Sequence, residues 1–293
     1  MLAAAPSEAL LGSTEPRLFT APARPLTPET SLGFEACEFV ENVIGDTLLP
    51  WQRWLFEHAL EMDGNGRFRF RTVLVLVGRQ SGKSTWAKYL ALWRIFGDDA
   101  KLVLGTAQNL DVSEALWKQA VETAEDCLAL RKQITQVEMS SGRKTLHVKG
   151  GKQYKVQSAN RRGGRGMSGD LVLLDELREH QTWDAWSAVS KTTMARPRAQ
   201  LVCLSNAGDD NSVVLNDLRE RALQQLDDPH SQIGIFEWSA PDDCDVDDPA
   251  NWAMATPSLG YTIEIESIRA AKTTDPEWVF RTEVLCQRVN LAA

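Results

Sequence analysis

Five consecutive aliphatic residues, Val73–Val77, run directly into Gly78-Arg79-Gln80-Ser81-Gly82-Lys83-Ser84-Thr85. An unbroken aliphatic run of this length reads as a strand buried on both faces. Apolar residues at helical spacing follow, and predict a helix over Ser84–Phe96. A strand, a glycine-containing loop and a helix in that order form the setting of a phosphate-binding loop. There, backbone N–H groups and the helix N-terminus donate to phosphate oxygens. On this reading the loop residues Gly78 through Thr85 hold a nucleotide. Lys83 reaches the β- and γ-phosphates, and Ser84 ligates Mg²⁺. The spacing departs from G-x-x-x-x-G-K-[ST]. Val77 stands where the first glycine belongs, and Gly78 comes one position late. The competing reading is a glycine-containing turn with an incidental lysine. The aliphatic strand ahead of the loop argues against it.

A second buried run, Leu171–Leu174, ends in Asp175-Glu176. At the C-terminal edge of a strand beside a phosphate loop, Asp175 can hold Mg²⁺ and Glu176 can activate an attacking water. Alone, two carboxylates after a strand are as readily a solvated turn. Paired with the loop, and with strands and helices alternating between them, both motifs fall on one sheet edge.

Further runs at Lys101–Thr106 and Gln200–Ser205 are read as strands, and Thr145–Val148 pairs with Gln153–Gln157 as a hairpin across Gly150-Gly151. Helices are expected at 33–44, after Pro50, and at 111–130, 183–189 and 213–225. This alternation predicts an α/β fold with a mostly parallel central sheet flanked by helices. Residues 1–30, with five prolines, are read as an extended or partly disordered arm, 31–230 as the core, and 231–293 as a small lid or linker subdomain with a strand at 233–238 and helices at 263–271 and 277–287.

Composition excludes several classes. Hydrophobic residues are 43% and charged residues 25%, which suits a globular chain. No apolar run is long enough to cross a bilayer, and the first residues lack a basic signal-peptide start. Five dispersed cysteines without C-x-x-C read as reduced thiols in a cytosolic protein. The net charge of −8 argues against nucleic acid only until it is located. Residues 227–248 carry eight acidic side chains and no Lys or Arg, and the remaining chain is neutral. An EF-hand starting at Asp243 fails, because Asp248 falls where glycine is needed and Met254 where glutamate is needed.

Three other segments bear on the site. Gln52, in Leu49-Pro50-Trp51-Gln52-Arg53, has an amide suited to adenine, although the segment also reads as an ordinary helix start. Arg161, Arg162 and Arg165 lie in a glycine-rich loop leading into the acidic strand, where guanidinium groups suit phosphate contact, on DNA or on a neighbour's nucleotide, better than a solvated turn. Ser205-Asn206 ends the Gln200–Ser205 strand, as a γ-phosphate sensor or as a helix N-cap region.

Taken together, these motifs resemble those of the large terminase subunit of tailed bacteriophages, over most of the chain. LPWQRW resembles that family's adenine motif, GRQSGKS its variant Walker A with an arginine (Arg79) near the loop's start, LVLLDE its Walker B with catalytic glutamate, and SNAG its coupling motif. PLTPETSLGFE, NWAMATPSLG and FRTEVLCQ resemble sections flanking that ATPase. The resemblance implies an additional-strand P-loop ATPase that uses ATP and Mg²⁺ to drive double-stranded DNA into a procapsid, in the cytoplasm of an infected host. It implies Gln52 near adenine, Arg79 as a cis stabiliser of the γ-phosphate, Arg162 or Arg165 in trans, and Ser205 and Asn206 as couplers. Its implied partners are DNA, a portal protein, a small terminase subunit and further copies in a ring, commonly of five. The family's nuclease is expected to be missing, because the section that leads into it ends at Asn290. The rival readings are a helicase-type translocase and a non-hydrolysing assembly module.

Overall fold

The computed structural model describes residues 9–140, 143–158 and 168–290. Among the described residues nine strands form one sheet: β1 (Leu18–Phe19), β2 (Thr72–Leu76), β3 (Leu102–Ala107), β4 (Ile134–Ser140), β5 (Arg143–Val148), β6 (Lys152–Ser158), β7 (Leu171–Asp175), β8 (Gln200–Ser205) and β9 (Ile233–Glu237). Their spatial order is β1-β9-β2-β8-β7-β3-β6-β5-β4. The six strands from β9 to β6 in that order are mutually parallel, while β1, β5 and β4 pair antiparallel. Strand β8 lies between the phosphate-loop strand β2 and the acidic strand β7. That inserted strand is the mark of the additional-strand P-loop architecture.

The helices are α1 (Gly33–Glu38), α2 (Pro50–Ala59), α3 (Lys83–Leu92), α4 (Leu110–Asp126), α5 (Leu128–Arg131), α6 (Trp183–Ser190), α7 (Val213–Leu223), α8 (Pro249–Ala255), α9 (Ile265–Thr274) and α10 (Glu277–Glu283). They cover both sheet faces, so alternate residues of β2 enter different cores. Val73, Val75 and Val77 join one cluster with Trp51, Trp86 and Trp117. Leu74 and Leu76 join another with Leu174, Cys203 and Leu215. This is why the run has no polar alternation. A third, smaller cluster around Trp252, Leu259 and Phe280 belongs to the C-terminal segment.

Several boundaries differ from expectation. The helices at 33–44 and 84–96 each end in a π-helical turn, Phe39–Ile44 and Trp93–Gly97. The expected helix at 111–130 breaks at Cys127, whose backbone is extended. Strand β4 was not anticipated. A register irregularity between Ile134 and Gln136 disrupts the two-residue alternation that would reveal it. Helix α8 was also missed, although Asp248 caps it through the Ala250 N–H (2.9 Å) and Pro249 opens it. The described part of the N-terminal arm is extended and bound. β1 pairs with β9, and the Gly12 and Ser13 N–H groups donate to Leu259 and Ala253 at 2.8 Å. No described helix is long and apolar enough to cross a membrane.

Candidate nucleotide site

The C-terminal edge of the parallel strands collects the predicted motifs. The loop after β2 turns through Gln80 (φ 58°) and Gly82 (φ 92°). Gly82 is the N-cap of α3 and offers no capping side chain, so the first-turn N–H groups are left for an anion. Gly78 has a different purpose. A Cβ there would stand 2.8 Å from the Val284 carbonyl oxygen. The displaced glycine thus lets the loop pass against the C-terminal segment.

Lys83 extends from α3 to the end of β7. Its Nζ lies 3.1 Å from Glu176 Oε1 and 3.7 Å from Asp175 Oδ1. Asp175 is almost fully buried, and burial pushes its carboxyl above the usual range. Lys83 opposes the shift, and the neighbouring Glu176 charge adds to it. Glu176 adopts a left-handed backbone (φ 52°, ψ 50°), a conformation that costs about 1–3 kcal/mol in a non-glycine residue. The turn aims its carboxylate between Lys83 and Arg178, whose Nε is 3.5 Å from Oε2. Two carboxylates therefore face one ammonium, and the buried Ser81 hydroxyl of the loop has no partner among the described residues. Carboxylate oxygens beside an open helix N-terminus are donors that suit a divalent cation with its phosphates. Ser84, in the first turn of α3, and Asp175, at the end of β7, are the residues expected to hold it.

Gln52 is buried, and its amide is engaged at both ends. Oε1 accepts the Leu49 N–H at 3.0 Å, and Nε2 donates to the Gly82 carbonyl at 3.1 Å. Here it braces the phosphate loop. A second brace was not anticipated: the Ser258 hydroxyl donates to the Ser81 carbonyl at 2.5 Å and accepts from Trp51 Nε1 at 3.2 Å.

The other unanticipated residues are Arg178 and Glu283. The Glu283 carboxylate on α10 receives Arg79 Nε at 2.7 Å, Arg178 Nη1 at 2.9 Å and Asn206 Nδ2 at 3.1 Å. The Ser205 hydroxyl accepts the Arg178 N–H at 3.1 Å. Arg79 is 65% exposed and sits on Glu283, so reaching a phosphate requires it to give up that ion pair. Structure therefore joins Lys83, Asp175 and Glu176 directly, and links Arg79, Ser205 and Asn206 to them through Arg178 and Glu283. Arg161, Arg162 and Arg165 lie outside the described residues. The described residues hold no cluster of three metal-ligating side chains.

Fold and phosphate loop together define an additional-strand P-loop architecture. No family model matches the chain. The proteins it resembles are phage large terminase subunits. A curated relative, the large terminase subunit of Enterobacteria phage HK97, is 28% identical over 158 residues, covering 51% of this chain and 31% of that protein. The crystal structure of the HK97 large terminase matches with a TM-score of 0.76 at 21% identity, over 88% of this chain and 55% of that one. The large terminase ATPase domain of Thermus phage P74-26 matches with a TM-score of 0.61 at 20% identity, over 86% of this chain and 98% of that domain. The large terminase of another thermophilic bacteriophage, solved with ADP, gives 0.52 at 7% identity, over 90% of this chain and 53% of that one. The chain thus spans little more than half of the HK97 protein in its crystal structure, and the curated match covers about a third.

Proposed function

We propose that this chain is the ATP-hydrolysing motor part of a large terminase subunit, driving double-stranded DNA into a procapsid. The observation that carries the reading is Lys83 of the phosphate loop set against Asp175 and Glu176, with β8 between their strands. In this account ATP lays its phosphates on the open N–H groups of α3, and Lys83 exchanges its carboxylate partners for phosphate oxygens. Mg²⁺, held by Ser84 and Asp175, supplies neutralisation of charge on the phosphates. Freed from Lys83, Glu176 accepts a proton from water as the water oxygen bonds to the γ-phosphorus. The bond from that phosphorus to the β–γ bridging oxygen breaks, giving ADP and phosphate. Arg79 stabilises the γ-phosphate in cis, and Arg162 or Arg165 of a neighbouring copy does so in trans, an effect typically worth about 10³–10⁵ in rate. Loss of phosphate reaches the C-terminal segment through Ser205, Arg178, Asn206 and Glu283. The segment after β9 forms a lid on the core, whose expected end at 230 moves past β9 because that strand pairs with β2 in the central sheet. Portal, small terminase subunit and a ring of about five copies complete the machine.

Nucleotide titration tests the binding half of this account. ATP should saturate the chain with a dissociation constant between about 1 µM and 1 mM, the span of typical enzyme substrates, and chelating Mg²⁺ should weaken it. Absence of saturable binding would overturn the reading.

A further inference from the structure

The opposite edge of the sheet carries a cleft that the nucleotide reading does not use. It encloses about 670 Å³ between the turn at 63–67, the loop at 193–197 and the loop at 229–232, which precede β2, β8 and β9. Arg67, Arg69, Arg71, Arg196 and His230 line it, against one carboxylate, Asp63. That carboxylate is turned to its own backbone, accepting the Asn65 and Arg67 N–H groups at 2.8 and 2.9 Å. Arg69 is neutralised by Glu61 at 2.7 Å, and Arg196 faces Asp170 at 3.8 Å. Arg71 donates only to backbone carbonyls of Thr193, Arg196 and Pro197, each at 2.9 Å. The exposed Arg67 guanidinium makes no hydrogen bond or ion pair among the described residues. Two uncompensated guanidinium groups thus remain in a concave site of a chain whose net charge is −8.

The chain carries a complement. After β9, Asp242, Asp243, Asp245, Asp247 and Asp248 are exposed. Asp247 pairs with Lys272 at 3.1 Å, while the Asp242 and Asp243 carboxylates make no hydrogen bond or ion pair among the described residues. The loop is firmly held: Trp252 Nε1 donates to the Val246 carbonyl at 2.8 Å, and Asn251 Nδ2 to that of Asp245 at 2.9 Å. It is therefore a preformed acidic knob. β9 separates knob from cleft, because the cleft loop precedes it and the knob follows it. Five residues of strand span about 16 Å, so the two are at opposite sheet edges and cannot meet within one chain.

We propose that the cleft receives the 242–248 knob of a second copy of this chain. One knob and one cleft per copy make the contact head-to-tail, which closes into a ring where the repeated rotation allows. The pairing does not rest on the nucleotide reading.

Sedimentation of the 293-residue chain tests it. Self-association should weaken as salt screens the charges. Arg67→Glu, and separately Asp242→Lys with Asp243→Lys, should each weaken it by about tenfold or more. All three positions are exposed, so melting temperatures should stay unchanged. Mixing the two variants should restore association, since the intact knob of one meets the intact cleft of the other and the reversed knob meets the reversed cleft. A parental chain that stays monomeric, variants that associate like the parent, or a mixture that does not pair would each overturn the proposal. So would an Arg67→Glu chain that loses binding to a double-stranded oligonucleotide while its self-association is unchanged, because the cleft would then seat nucleic acid.

Discussion

Replacing Glu176 by Gln leaves ATP bound and slows its hydrolysis by at least about 10²-fold, the lower range for a lost general base. The substitution keeps the side chain's size and the oxygen that accepts Lys83 Nζ at 3.1 Å, so the loop should stay in place. It removes the one property a base needs, a free electron pair of sufficient basicity. The left-handed backbone at Glu176 strengthens the expectation. Strain of that kind persists where surrounding structure holds it, and here it directs a carboxylate toward the phosphate edge. Phosphate release under saturating ATP, with binding measured in parallel, separates the two effects. Near-normal turnover in the variant would remove Glu176 from the chemistry.

Replacing Lys83 by Ala has a double consequence. Loss of charged hydrogen bonds, each worth about 1.5–3 kcal/mol, should weaken ATP binding by tenfold or more. It should also lower the melting temperature of the nucleotide-free protein, because Asp175 and Glu176 would then face each other without their ammonium. Asp175→Asn is the control. Its carboxyl is held above the usual range by burial, then by the Glu176 charge. Below the ordinary carboxylate range the group is protonated folded and unfolded, and costs nothing. As pH rises through the elevated folded value, the buried carboxylate destabilises the fold. Asp175→Asn should therefore raise the melting temperature at pH 7, by about 2–4 °C per kcal/mol, and have almost no effect below the ordinary carboxylate range, near about pH 3. Combined with Lys83→Ala it should recover the melting temperature but not the affinity. A Lys83→Ala chain that melts and binds like the parent would contradict the geometry.

Strands β2, β7 and β8 were legible because each is buried on both faces, and such runs leave an unbroken aliphatic signature. The phosphate loop and Asp175-Glu176 were legible from position, each directly following such a run. β4 was hidden by its bulge, and α8 by an acidic surrounding that reads as loop. Glu283 was not legible as a site residue. Its partners Arg79, Arg178 and Asn206 come from three separate loops, and nothing local marks a glutamate about 200 residues past the phosphate loop as their acceptor. Gln52 has a second use that its sequence context does not show. Its amide suits adenine, yet in the fold both ends are satisfied by Leu49 and Gly82. Gly78 looked like an imperfection of the motif, and the Val284 carbonyl supplies its reason.

On the proposed mechanism, ATP is hydrolysed at a site that a neighbouring copy completes. Phosphate release per chain, measured against protein concentration with double-stranded DNA present, tests it most directly. Turnover should be slow in dilute solution and rise steeply as chains assemble. A bound nucleotide that is never hydrolysed, even at the highest concentrations, would contradict it and mark the chain as a nucleotide-dependent assembly module.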